Sequence, residues 1–208
     1  MNLNFFEAYI TLLRIEFQFS GETFMEYQVY RGLVRKAPIT ESVHPSITFA
    51  GNKATAEYYA HNPNNADLKG NCPTVYSATI EINNPFIVDK DYSGIEFKQL
   101  LRVMSKVEVY KLILEHEEYV KGTYLYQEFV REGALSSNYV LECIGRTPSL
   151  LEVALPAYVF LDNPDIISRL IRSGFDGSIH RGTGVSMDDV EYRIWLSHSQ
   201  IKKHCCCN

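Results

Sequence analysis

Residues 74–82, Thr74-Val75-Tyr76-Ser77-Ala78-Thr79-Ile80-Glu81-Ile82, carry the clearest strand signal in the chain. β-Branched and aromatic residues dominate, and apolar positions alternate with polar ones, so one face is buried. Asn83-Asn84-Pro85 then turns the chain, and Phe86-Ile87-Val88-Asp89 extends an edge. Upstream, residues 26–35 alternate in the same way. Ser46-Ile47-Thr48-Phe49-Ala50 forms a shorter strand, broken by Gly51-Asn52. Residues 53–61 switch to helical spacing, with Ala54, Ala56, Tyr58, Tyr59 and Ala60 as the packing surface. Asn62-Pro63-Asn64-Asn65 stops that helix.

Downstream the period changes. Residues 95–144 are mainly helical, with Phe97, Leu100, Leu101, Met104, Val107 and Val109 recurring at intervals of three and four. Residues 90–150 therefore form a helical insertion, broken at Gly122, Gly133 and Gly145. Ala157-Tyr158-Val159-Phe160 has strand composition. Asn163 then caps a helix that has Pro164 at its first position and ends at Gly174. A short strand to His180, a glycine-rich loop at 181–188 and a last strand, Val190 to Trp195, close the pattern. Strands at both ends with helices between predict an α+β fold built from antiparallel sheets, not a doubly wound parallel one.

Length and composition suit one domain over residues 1–208, with 46% apolar and 12% aromatic residues. Fourteen tyrosines provide flat, amphipathic surface for a cleft or a core edge. The net charge of −5 and the lack of a basic stripe argue against tight nucleic-acid binding. Five cysteines, three of them adjacent, make no disulfide framework and indicate a reducing compartment, and no Cys-x-x-Cys pair suggests zinc. Residues 1–20 read as an amphipathic docking helix rather than a signal peptide, because Glu7 and Arg14 interrupt the apolar run. No run of 18 apolar residues predicts a membrane span.

Phosphate-loop, His-Glu-x-x-His and Gly-x-Ser-x-Gly patterns are missing. His116 among Glu115, Glu117 and Glu118 is a poor ligand set, since consecutive helical residues diverge, so no metal is expected. The Cys-rich tail at 203–208 has two readings. One is sequence without function. The other is acylation of Cys205–Cys207 beside Lys202 and Lys203, which would attach the chain to a membrane.

One constellation remains. Val29-Tyr30-Arg31-Gly32, then Ser46-Ile47-Thr48-Phe49-Ala50 with its following helix, then Asn84-Pro85, then Gly174-Phe175-Asp176-Gly177, then Glu191-Tyr192-Arg193-Ile194-Trp195 and Ser199-Gln200-Ile201-Lys202 occur in this order. The order resembles the ADP-ribosyltransferase superfamily, most of all the mono-ADP-ribosyltransferase domains of bacterial toxins, secreted effectors and phage proteins. The resemblance implies a split antiparallel β-sandwich enclosing an NAD cleft. It implies transfer of ADP-ribose from NAD to a protein acceptor, in the cytoplasm or, for a secreted effector, in a host cytoplasm. Arg31, with Tyr30 and Gly32, matches the cofactor-holding strand, and a guanidinium fork suits phosphate and ribose oxygens. Ser46 and Thr48 match the motif that braces the site, Phe49 flanks the nicotinamide, and Tyr58 or Tyr59 borders the cleft.

Glu191 matches the catalytic carboxylate. Breaking the nicotinamide–ribose bond develops oxocarbenium charge, which a carboxylate bonded to the neighbouring ribose hydroxyl stabilises. Asp189 stands where arginine-modifying members carry Glu or Gln, so the acceptor residue type is open. Asn84-Pro85 and Gly174–Gly177 read as scaffold. The competing expectation is an NAD- or partner-binding module with the same fold and no catalysis.

Overall fold

The computed structural model describes residues 25–42, 44–62, 72–88, 94–121, 151–182, 188–195 and 198–207. The expected helix at 1–20, the second half of the insertion and most of the glycine-rich loop lie outside the described residues. The fold is mixed α+β. Strands β1 (Glu26–Leu33), β2 (Ile47–Ala50), β3 (Thr74–Glu81), β4 (Pro85–Ile87), β7 (Gly177–Arg181), β8 (Val190–Ile194) and β9 (Ile201–Cys207) form one sheet in the order β4-β7-β8-β2-β1-β3-β9. Strands β5 (Gly94–Glu96) and β6 (Ala154–Pro156) form a separate antiparallel pair. The long sheet is not wholly antiparallel, because β4 runs parallel to β7.

The strand at 74–82 lies where its alternation demands, inside the sheet. Eight residues of β3 pair with β1, from Glu26↔Glu81 to Leu33↔Thr74. By contrast, β1 meets β2 through the single pair Tyr30↔Ala50. The sheet folds on itself about this junction. Tyr27 of β1 and Tyr192 of β8 have ring centroids 5.0 Å apart, although β2 separates their strands, which would hold them about 9.6 Å apart in a flat sheet. Val29, Ala78 and Ile80 from one half pack with Phe49 and Ile194 from the other in one buried cluster.

The motifs read as scaffold pin this closure. The Asp176 carboxylate accepts from the backbone N–H groups of Asn83 at 2.7 Å and Asn84 at 2.9 Å. Helix α6 (Pro164–Arg172) is capped by the Asn163 side chain, with Pro164 at its first position. It ends with Gly174 at φ 90°, where Gly174 N–H bonds Ile171 O and Phe175 N–H bonds Leu170 O. These two bonds satisfy carbonyls that the last turn would otherwise leave open.

Helix α1 (Lys53–His61) crosses β1 and buries Ala56 and Ala60. Gly32 makes that crossing feasible, since a Cβ there would stand 1.8 Å from the Ala56 carbonyl oxygen. The described part of the insertion holds α2 (Phe97–Leu100), α3 (Lys106–Glu115) and α4 (Glu117–Lys121). Ser105 and Glu108 close a reciprocal box at the start of α3. Phe97, Leu100, Val109 and Ile113 join Phe160, Leu161 and Phe86 in a second core.

A further expectation requires correction. Residues 157–160 are not a strand but part of helix α5 (Ala157–Leu161), and the strand is β6 just before it. Tyr, Val and Phe suit a strand by composition, but Ala157, Phe160 and Leu161 bury one face at spacings of three and four, so packing overrides propensity. The Cys-rich stretch extends the sheet. Gln200 donates to the carbonyls of Glu81 and Asp176, and the chain then continues as β9 along β3, with Val75↔Cys207 and Tyr76↔Cys206 in register. Cys205 and Cys206 are exposed on that strand.

Candidate functional site

The site follows from cross-strand register. Tyr30, Ala50, Glu191 and His180 stand opposite one another across β1, β2, β8 and β7. Directly opposed residues share a face, and so do residues two apart on one strand. The adjoining row, Thr48↔Arg193↔Ser178, therefore lies on the same face. This face is polar where it meets the end of α5.

Glu191 is held by one of its two oxygens. Oε1 accepts from Arg193 Nε at 2.9 Å and from Nη2 at 2.8 Å, and it lies 3.4 Å from His180 Nε2. Oε2 has no partner among the described residues. The Glu191 side chain retains 15% exposure, against 6% for Arg193. The other terminal nitrogen of Arg193, Nη1, is paired with Asp162, which follows α5. Burial pulls the Arg193 guanidinium down, but Glu191 and Asp162 outweigh it and hold it above its ordinary value. His180 is buried. That burial, only partly opposed by Glu191, pushes its imidazole below the ordinary histidine value.

The network reaches outward through His44, whose Nδ1 lies 3.8 Å from Asp162 Oδ2. Beyond it is a cavity of about 230 Å³ lined by Thr40, Ser42, His44, Ser46, Trp195 and His198, among others. The Ser46 hydroxyl and Trp195 indole nitrogen are buried there without hydrogen-bond partners. Thr48 thus shares the Glu191 face by register, and Ser46 lines the cavity beyond His44.

Arg31 does not stand there. It follows Tyr30 on β1 and so points to the opposite face, into the folded sheet, where its guanidinium carbon lies 5.7 Å from the Phe49 ring centroid. Its terminal nitrogens donate to the carbonyls of Thr48, at 3.1 Å, and Glu41. Burial, against the pull of Glu41, lowers its pKa to about 10. The structure therefore does not bring Arg31 or Phe49 together with Glu191. An Arg at this position serves as a strut between β1, the start of β2 and the 38–42 turn.

Asp189 is a latch. Oδ2 accepts from Asn52 N–H at 3.0 Å and Oδ1 from Val190 N–H at 2.7 Å. It ties the start of β8 to the start of α1. Tyr30 shares the Glu191 row but packs against Ala56, Ala60 and Val75. Gly32 serves the helix crossing described above. Tyr58 is 40% exposed and lines an open groove of about 900 Å³ with Lys36, His61, Cys72 and Cys206, a lining that does not include Glu191.

His180, Arg193, Asp162 and Ser178 were not among the residues expected at the site. Arg193, two residues beyond Glu191 on the same strand, was within reach of simple alternation. The other three are brought in by the β7–β8 register and by α5, which local patterns do not encode. Among the described residues, no group of three or more His, Cys, Asp or Glu side chains is placed to hold a metal ion. No helix among them is long and apolar enough to cross a membrane. No protein-family model, curated protein or solved structure matches the chain.

Proposed function

We propose that the chain is an NAD-dependent mono-ADP-ribosyltransferase that moves ADP-ribose from NAD to a protein side chain and releases nicotinamide. The observation that carries this reading is the asymmetry of Glu191, with Oε1 anchored by Arg193 and Oε2 open. A carboxylate held in this way is oriented before substrate arrives, so it can accept a ribose hydroxyl with little reorganisation as oxocarbenium charge develops. Its low exposure strengthens that interaction relative to water. The resembling motifs at β1, β2 and β8 support the same reading, with the cofactor on the Glu191 face, outside the packed interior of the folded sheet.

On this reading Glu191 meets the ribose, and Thr48 lines the same side. Arg31 stabilises the junction from behind and does not hold a phosphate. Asp189, with both oxygens engaged by backbone N–H groups, does not select the acceptor. Purified chain incubated with NAD and a lysate should release nicotinamide and leave ADP-ribose on protein. No release by wild type at any pH at which it is folded would refute the reading.

A second reading is favoured by one observation: two residues that the resemblance assigns to cofactor and acceptor, Arg31 and Asp189, make internal contacts. On this reading the chain binds NAD or a partner without catalysis. Saturable NAD binding with no nicotinamide release separates it from the first.

A further inference from the structure

His180 and Glu191 face each other in a way that needs a proton. The imidazole Nδ1 lies 2.9 Å from the backbone carbonyl of Arg181. A carbonyl oxygen can only accept, so Nδ1 carries the hydrogen and the neutral ring has its bare lone pair on Nε2. That lone pair has no hydrogen-bond partner. Glu191 Oε1 lies 3.4 Å from it, outside hydrogen-bonding alignment. Two acceptors thus oppose each other across a buried gap, and His180 Nε2 stays unsatisfied until a proton enters.

The charges around the pair favour that proton. Those acting on His180 are Glu191 and Arg193 from β8, and Asp162 after α5. Arg193 contacts both carboxylates. Two carboxylates and one guanidinium leave one negative charge in a mostly buried cluster, and a single proton brings the cluster to neutrality. Burial of the imidazole opposes that protonation, so the proton enters below the ordinary histidine range and not at neutral pH.

We propose that His180 is the positioning residue for Glu191: the two bind one proton between Nε2 and Oε1, and this completes the clamp that leaves Oε2 free for substrate. In the protonated state Oε1 receives three N–H donors, two from Arg193 and one from His180. In the unprotonated state the Nε2 lone pair pushes against the oxygen that Arg193 holds. The site is therefore sensitive to pH, most ordered on the acid side of the pair's titration. The catalytic consequence rests on the proposed transferase reading, but the shared proton does not.

The test is an NMR titration of the His180 ring nitrogens in the full chain, wild type against Glu191→Gln. Nδ1 should stay protonated throughout, and the Nε2 midpoint should fall by about one unit or more in Glu191→Gln. An unchanged midpoint overturns the proposal, as does a neutral ring protonated on Nε2. The wild-type tautomer decides even if the variant fails to fold. In parallel, NAD cleavage should show a basic limb that His180→Gln, with a fixed N–H donor in that position, flattens. A limb that persists in His180→Gln also overturns the positioning role. Absence of cleavage in wild type refutes the transferase reading alone, because the titration is read without turnover.

Discussion

Replacing Arg193 by Met is the sharpest perturbation of the buried network. Methionine keeps much of the side-chain volume and removes the charge that joins Glu191 to Asp162. Removing one partner of a buried ion pair costs about 3–5 kcal/mol, since the remaining charge is left without compensation. Asp162 retains 26% exposure and Glu191 15%. Water can therefore reach part of both carboxylates, and the cost falls at the lower end, about 3 kcal/mol. For a chain of this size that lowers the melting midpoint by roughly 6–12 °C.

Urea unfolding of wild type and Arg193→Met measures this loss, and Asp162→Asn in the variant background should recover part of it. A deficit under about 1 kcal/mol would refute the assignment of the network as a buried charge cluster.

Three further outcomes follow from local geometry. Gly32→Ala drives a Cβ into the Ala56 carbonyl, so α1 must shift and stability should fall by about 1–3 kcal/mol or more in thermal unfolding. Asp189→Ala removes acceptors from the N–H groups of Asn52 and Val190 and should cost about 1 kcal/mol; a neutral result in denaturant titration would remove its role as a latch. His180 and His116 both sit below the ordinary histidine value through burial, opposed by Glu191 and Glu115. Stability should therefore decline as pH drops below about 6.5, and His180→Gln should reduce the slope of unfolding free energy against pH.

The parts of the fold written in short stretches were legible. The helix after Asn163-Pro164 starts and stops where its cap, its proline and Gly174 require. Strand β3 covers Thr74–Glu81 of the expected strand at 74–82, and α1 keeps the helical spacing of residues 53–61. Ala157–Leu161 failed because its residue types suit a strand while its packing requires a helix. The strand at 201–207 was not written in its residue types: Lys, His and Cys carry little strand signal, and the backbone ladder to β3 decides.

The site was legible only in part. Glu191 was named from the motif order and from the chemistry a carboxylate can supply, neither of which depends on register. Pairing Arg31 with Glu191 required knowing which way each strand faces at the Tyr30↔Ala50 junction, and that depends on how two distant halves fold together. His180, Ser178 and Asp162 join Glu191 through the same long-range geometry. The residue two along the strand, Arg193, shows what alternation alone can yield.

The central claim is that Glu191 acts on bound NAD through its open oxygen. The most direct measurement compares NAD dissociation constant and nicotinamide release rate for wild type and Glu191→Gln under the same conditions. Loss of charge stabilisation should reduce release by about 100-fold or more while the dissociation constant changes by less than about threefold, a difference under 1 kcal/mol. A variant that releases nicotinamide at the wild-type rate would contradict the account.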